Sequence, residues 1–339
     1  MAWSLTPLLL PLLLLWLSSN VGLLESSPLS QEHVDLLPAF KEFIWKHNKT
    51  YKDEGAEKMR YEVFRENWHR IQKLQEMEQG SAVYGITKFS DLTEEEFRAL
   101  HLNPVLSRPR EVGLRQAQIP PGPIPPAFDW RDHGAVTEVK NQGECGSCWA
   151  FSVTGNIEGQ WAIKKGSLLS LSEQELVDCD KLDYGCGGGL QMNAYKTIQE
   201  LGGLMTENDY SYKGDMEQCG FSQAKVRAYI NGSVSISSDE DEMAAWLVKH
   251  GPISIALNAL GMQFYKHGIA HPWKILCWSW ELNHAVLIVG YGIEKGVPFW
   301  IIKNSWGVGW GEEGYYRVFR GDGVCGLNKV CSSAVVDRE

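Results

Sequence analysis

The sequence predicts an α+β protein: a charged helical section, then two packed subdomains of which the first is built of helices and the second of strands. Three observations carry this. Tyr61, Phe64, Trp68, Ile71 and Leu74 recur at spacings of three and four, an amphipathic helix over 57–79. An apolar run with little polar relief starts at Cys148 and predicts a long, largely buried helix over 148–165. From about 220 onward the apolar segments are short, β-branched or aromatic, and bounded by Gly, Pro or Asn. Helices before strands imply subdomains of different class packed together.

The 339 residues suffice for a substantial core, and a 44% hydrophobic share fits a globular chain. The net charge of −10 with no basic stripe argues against nucleic-acid partners. At the start, Leu8-Leu9-Leu10-Pro11-Leu12-Leu13-Leu14-Leu15-Trp16-Leu17 precedes the small residues Ser18, Ser19 and Gly22. This pattern predicts a signal peptide over 1–19, its end uncertain to about 24. A membrane anchor is the rival reading, but the run is short for a span and no other run approaches that length, so no membrane association is expected after cleavage.

The section over 25–123 follows. After the amphipathic helix, Thr93-Glu94-Glu95-Glu96-Phe97 predicts a short helix capped by Thr93. Residues 103–126 are Pro-rich, with five prolines in the seven residues 120–126. Such a segment forms neither helix nor central strand. It predicts an extended, exposed linker where proteases cut, with the mature part starting near 124–127. Beyond it, Ser172-Glu173-Gln174-Glu175 reads as a capping box opening a helix that reaches Cys179, and 190–201 is a further helix. Strands are expected over 225–236, 253–258, 284–291, 299–304 and 315–320, interrupted by a helix over 239–249 that stops at Gly251-Pro252.

All eight cysteines lie at or beyond 145. With one thiol kept free for chemistry, three bridges and two free thiols is the simplest arrangement. Cys148 sits in the first turn of the predicted helix, where free N–H groups and the helix dipole favour a thiolate over a thiol. The bland rival is a redox Cys-x-x-Cys pair of Cys145 and Cys148. A thiol nucleophile needs a base, a group to orient the base, and donors for an oxyanion. His284 opens an apolar strand in Asn283-His284-Ala285-Val286-Leu287, and Asn304 closes another in Trp300-Ile301-Ile302-Lys303-Asn304-Ser305-Trp306. Asn304 can accept the far ring N–H of His284 and leave the other nitrogen for Cys148, with Trp306 covering the bond. Taken singly, His284 reads as a satisfied structural histidine and Asn304 as a turn residue.

Together they are specific. Cys145-Gly146-Ser147-Cys148-Trp149, with His284 and Asn304 roughly 130–160 residues downstream, resembles the papain-like cysteine peptidases. The resemblance covers roughly 35–339. Asp178-Cys179-Asp180-Lys181, Gly261-Met262-Gln263-Phe264-Tyr265 and Ser332-Ser333-Ala334-Val335-Val336-Asp337 point to one cathepsin branch within it.

The resemblance implies a two-subdomain papain-like fold, a helical left half and an antiparallel β-barrel right half over 124–339, preceded by a helical inhibitory propeptide. It implies Cys148, His284 and Asn304 as catalytic residues, with Gln142 and the Cys148 N–H as the oxyanion hole. Gly188 and Gly189, after Gly187, would line the substrate with Asn283 and Trp306. Leu190, Ala256, Leu282 and Val330 would form an apolar pocket selecting an aliphatic or aromatic residue one position before the scissile one. It pairs Cys145 with Cys186, Cys179 with Cys219 and Cys277 with Cys325, leaving Cys331 over and removing the redox pair. Arg60, Phe64, Asn67 and Ile71, with Gln75 in place of Asn, fit the propeptide helix motif. Gly85-x-Thr87-x-Phe89-x-Asp91 fits its second motif.

The implied activity is endoproteolysis of protein substrates by a zymogen activated at acid pH, in lysosomes or after secretion. The implied partners are the chain's own propeptide as inhibitor and cystatin-type inhibitors, with the enzyme a monomer. Asn48 and Asn231 stand in glycosylation sequons. No metal or organic cofactor is implied. The alternatives are a catalytically inactive binding protein on the same scaffold and a disulfide oxidoreductase.

Overall fold

The computed structural model describes residues 35–107 and 114–337; the expected signal peptide lies outside them. The chain divides into Met1–Leu36 and Leu37–Glu339, and every element below belongs to the second unit.

Two helices open it, α1 (Leu37–Lys46) and α2 (Glu54–Glu76). Phe40 and Phe43 of α1 meet Phe64 of α2, each pair at 5.3 Å between ring centroids. Asp53 caps α2, which starts and ends three residues before the expected 57–79. Asn67 donates to the carbonyls of Ser90 and Leu92, and Arg60 grips Glu96 through two bonds of 2.6 and 2.8 Å. Gln75 donates to Ala82 and accepts from Tyr84 N, so it fixes β1 (Val83–Tyr84) along α2. Helix α3 (Glu94–His101) carries the complete capping box expected at Thr93.

The proline-rich stretch departs from expectation. Residues 104–107 form a 3₁₀ turn with Val105 and Leu106 buried. Further on, β2 (Arg115–Gln116) pairs with the main sheet. The extended, exposed character holds for most of 118–127.

After β3 (Phe128–Asp129) comes α4 (Cys148–Lys165), with the bounds its apolar run predicts. It is buried almost all round from Cys148 to Trp161. Its two internal glycines are contact points: a Cβ on Gly155 would sit 3.0 Å from Leu287, and one on Gly159 would sit 2.8 Å from Pro252. Helix α5 (Glu173–Cys179) has half of the expected capping box: Ser172 accepts from Glu175 N, but Glu175 accepts from Met205 N instead of returning the bond. Helix α6 (Gln191–Leu201) completes the helical half.

The strand half begins with β4 (Gly232–Ser235), not at 225; residues 223–225 form a 3₁₀ turn and Ala228 makes an isolated bridge to Leu204. Helix α7 (Glu240–His250) follows, capped by Asp239 and stopped at Gly251. Then come β5 (Ile253–Leu257), β6 (Tyr265–His267), β7 (Ile269–Ala270), β8 (His284–Glu294), β9 (Val297–Lys303), β10 (Tyr315–Phe319) and β11 (Cys331–Val335). The nine-stranded sheet runs β2-β4-β11-β5-β8-β9-β10-β7, with β3 on β8. Its centre is antiparallel; its two end pairs, β2–β4 and β7–β10, are parallel.

The N-terminal section shares both cores. Ile71, Leu74, Phe89, Phe97 and Leu102 pack with the strand half, and Val105 and Leu106 pack with the helical half. Phe89 and Phe97 meet Trp306 edge-on at 5.3 and 5.5 Å. Cys145–Cys186, Cys179–Cys219 and Cys277–Cys325 are bridged; Cys148 and Cys331 are free and buried. Among the described residues no helix is long and apolar enough to cross a membrane.

Phe97→Ala is expected to destabilise the full-length chain by about 3–5 kcal/mol. Denaturant unfolding of the variant in a Cys148→Ala background measures the loss, and a change below 1 kcal/mol would refute Phe97 as an anchor.

Candidate active site

Helix α4 delivers Cys148 as its first helical residue, fully buried. Strand β8 opposes it and begins with His284, which pairs with Leu257 of β5. The Ala285 N–H donates to Cys148 Sγ at 3.3 Å. Asn304 follows the last residue of β9, and its Oδ1 accepts from His284 Nε2 at 2.7 Å and from Ser305 N at 2.8 Å. Because the amide oxygen only accepts, Nε2 carries the proton. Trp306 stacks on the imidazole at 4.6 Å, covering that bond as expected. His284 Nδ1 is buried and makes no hydrogen bond.

Gln142 is held at both ends. Its Oε1 accepts from Ser305 Oγ at 2.7 Å, and its backbone N–H donates to the Ser305 carbonyl at 2.8 Å. Its Nε2 donates to the Cys145 carbonyl at 2.8 Å and to the His101 carbonyl at 3.1 Å. The donor expected for an oxyanion is therefore occupied by the backbone of the N-terminal section.

That section runs through the cleft. Asn103 N donates to the Asn283 carbonyl and Asn103 Nδ2 to the Gly189 carbonyl, both at 2.7 Å. Gly188, at φ +108°, leaves no room for a side chain: a Cβ there would lie 2.3 Å from Asn103 Oδ1. Val105 and Leu106 pack in one apolar cluster with Cys148, Leu190, Ala256, Leu282 and Ala285, with Val330 at its margin. Most residues expected to line the cleft thus come together beside the chain's own segment 101–106, while Trp306 lies under Lys88, Phe89 and Phe97 instead.

Burial under this segment sets the charge state. It pushes the Cys148 thiol up to about 12 and His284 down to about 4, outweighing the bond from Asn304 that raises the imidazole. Both shifts favour the uncharged forms, the reverse of the thiolate the helix terminus alone predicts.

Sequence reasoning missed Ala285, Ser305, Asn103, His101 and Tyr212. Ser305 adjoins Asn304 and could have been found by position; the others act through contacts made only in the fold. Cys145 is bridged to Cys186, which removes the Cys145–Cys148 redox pair. Asn48 and Asn231 are both exposed, and Asn231 Oδ1 accepts from Asp337 N.

Residues 124–335 match the papain family of cysteine proteases, and residues 40–97 match the cathepsin propeptide inhibitor domain I29. Mouse Cathepsin F is 55% identical over 321 residues, covering 94% of this chain and 70% of that protein. Drosophila melanogaster Cathepsin F is 47% identical over 306 residues, covering 88% of this chain; the chain spans 50% of the fly protein's length. The structure of digestive procathepsin L2 proteinase from Tenebrio molitor superposes with a TM-score of 0.80 at 32% identity, covering 88% of this chain and 99% of that one. The cathepsin branch to which the sequence motifs point is Cathepsin F, the name that the mouse and fly relatives carry.

In the full-length chain Cys148 should resist iodoacetamide at pH 8, and label at least 100-fold faster once the segment before 124 is removed. Equal labelling rates would refute the covered, neutral thiol.

Proposed function

Because the chain belongs to the papain family of cysteine proteases and carries that family's inhibitory propeptide, we propose that it hydrolyses internal peptide bonds by a Cys148–His284–Asn304 mechanism. The observation that supports this best is the 2.7 Å bond from His284 Nε2 to Asn304 Oδ1, which fixes the tautomer and leaves Nδ1 unpartnered on the strand facing Cys148.

With the cleft opened, the thiol proton passes to His284 Nδ1. Water returning to the cleft and the α4 terminus together favour the ion pair. The sulfur attacks the scissile carbonyl, and the oxyanion accepts from Gln142 Nε2 and Cys148 N–H. The imidazolium then protonates the leaving amine, and the neutral imidazole takes a proton from the water that cleaves the thioester. The pocket of Leu190, Ala256, Leu282 and Val330 selects an apolar residue before the scissile one, as Val105 and Leu106 do there in the precursor. The mature enzyme starts near 124–127, acts as a monomer in lysosomes or outside the cell, and is open to cystatin-type inhibitors.

Activation at acid pH follows from groups buried by the propeptide. His101 lies between Phe89 and Phe97, its Nδ1 2.9 Å from the Gly143 carbonyl, and faces the charges of Lys88 and Lys49. Burial pushes it down to about 4. A group so depressed stabilises the closed form fully above its free value of about 6.5, and that contribution is lost as pH falls toward 4. Glu96, held low by Arg60, has the same sign, but its contribution fades only below the ordinary carboxylate range. Histidine protonation therefore acts first, ahead of the carboxylates.

Self-processing should accelerate from pH 7.5 to pH 4.5, and His101→Gln should flatten the rise between pH 6.5 and 5. Equal rates at pH 7.5 and 4.5 would sink the acid trigger. In the processed enzyme Cys148→Ala should abolish peptide cleavage, and Gln142→Ala should lower kcat by about 10²–10³-fold. Cleavage retained by Cys148→Ala would overturn the mechanism.

A further inference from the structure

We propose that Tyr212 is a positioning residue for the oxyanion site, fixing with one oxygen atom the separation of its two donor arms. The proposal rests on the reading of Gln142 and Cys148 given above. Tyr212 Oη donates to the Gln142 carbonyl at 2.8 Å and lies 2.7 Å from Ser147 Oγ. A carbonyl cannot donate, so the single phenolic hydrogen goes to Gln142 and Ser147 must supply the hydrogen of the second bond. The chain bearing the Gln142 side chain and the chain leading into Cys148 N–H are thus tied to the same atom.

The tie also governs the helix terminus. Ser147 stands at the N-cap of α4, where a serine ordinarily caps the first amides, yet its side chain makes no capping bond. Its hydroxyl is turned to Tyr212.

Tyr212 comes from a loop anchored independently of the cleft. Its N–H donates to Glu207 Oε1 and Lys213 N donates to Gln174 Oε1, both at 2.8 Å. Tyr210 donates to Asp178 at 2.6 Å, and Cys219 bridges to Cys179 at the end of α5. The Tyr212 ring meets Phe151 of α4 edge-on at 4.9 Å. The hydroxyl therefore reaches Gln142 and Ser147 from a fixed frame, while Ser305 holds the Gln142 side chain from the other side.

Tyr212→Phe keeps the ring and its Phe151 contact and removes both bonds. In the processed enzyme kcat on a peptide amide should fall 10- to 100-fold with KM within twofold. Affinity for a peptide aldehyde should fall by the same factor as kcat/KM. In that adduct the sulfur–carbon bond forms and the carbonyl π pair moves to oxygen, which then takes the imidazolium proton; the oxygen needs the same two donors. Alkylation of Cys148 by iodoacetamide creates no oxyanion and should keep its rate. Ser147→Ala, which leaves the Tyr212–Gln142 bond, should show a smaller loss of the same kind. Equal losses of kcat and alkylation rate would reduce Tyr212 to a structural role and overturn the proposal. So would unchanged aldehyde affinity in Tyr212→Phe alongside a loss in Gln142→Ala. If Gln142→Ala leaves aldehyde affinity intact, it is the underlying oxyanion assignment that fails.

Discussion

The site depends on how closely α4 can approach β8. Two glycines on one face of the helix remove the side chains that would hold it off Leu287 and Pro252. Ser152, between them and the N-terminus, donates to the Val286 carbonyl at 2.7 Å and meets Ser254 Oγ at 2.6 Å. With this seam closed, the first residue of the helix lies against the second residue of the strand, and the sulfur receives the Ala285 amide. Cys148 of one subdomain is thereby brought against the strand of the other that begins with His284, and both residues sit at the ends of regular elements.

Behind the seam the chain buries charge. Lys140 bonds Glu158 Oε1 at 2.9 Å and Glu173 Oε1 at 2.7 Å; the Leu171 N–H and Thr154 donate to these same two oxygens, and Thr137 donates to Glu158 Oε2. Two carboxylates against one close cation cannot both stay charged cheaply out of water. Lys140 and Lys303 hold Glu158 low against its burial, whereas burial pushes Glu173 up to about 7. The cluster joins the helical half to β9, whose next residue is Asn304. Through Lys303, Thr137 and Glu158 it thus links the strand end that places Asn304 to the helix that begins with Cys148.

Much of this was legible in the sequence because it was local. The α4 run, the Thr93 box and the stop at Gly251-Pro252 mark their helices from neighbouring residues alone. The Cys148, His284 and Asn304 trio was legible only as a set, since each by itself has an ordinary structural reading. What escaped was tertiary. Residues 225–231 have strand-like composition, but Ala228 pairs with a single residue, Leu204, and the ladder starts only at Gly232. Strand β11 holds Ser332 and Ser333 fully buried, so it shows no apolar run although it pairs with both β4 and β5. Prolines at 104 and beyond suggested loose chain, yet Asn103 anchors that stretch in the cleft through backbone and side chain together. Tyr212 carries no local mark at all; its partners are set by where its loop is fastened.

The protonation state was illegible for a deeper reason. A helix terminus lowers a thiol only where solvent or a countercharge can stabilise the anion; in an apolar enclosure desolvation wins. Here the enclosure is the chain's own 101–106, which takes a bond from the Gln142 side chain and packs Val105 and Leu106 into the apolar cluster around Cys148. Latency is therefore electrostatic as well as steric: the cover that blocks substrate also keeps sulfur and imidazole neutral. The walls that impose this are the ones that would later shield the tetrahedral intermediate. Beneath that cover the helix terminus, the Ala285 N–H and the Asn304 bond are already set, because the α4–β8 seam holds them independently of the segment above.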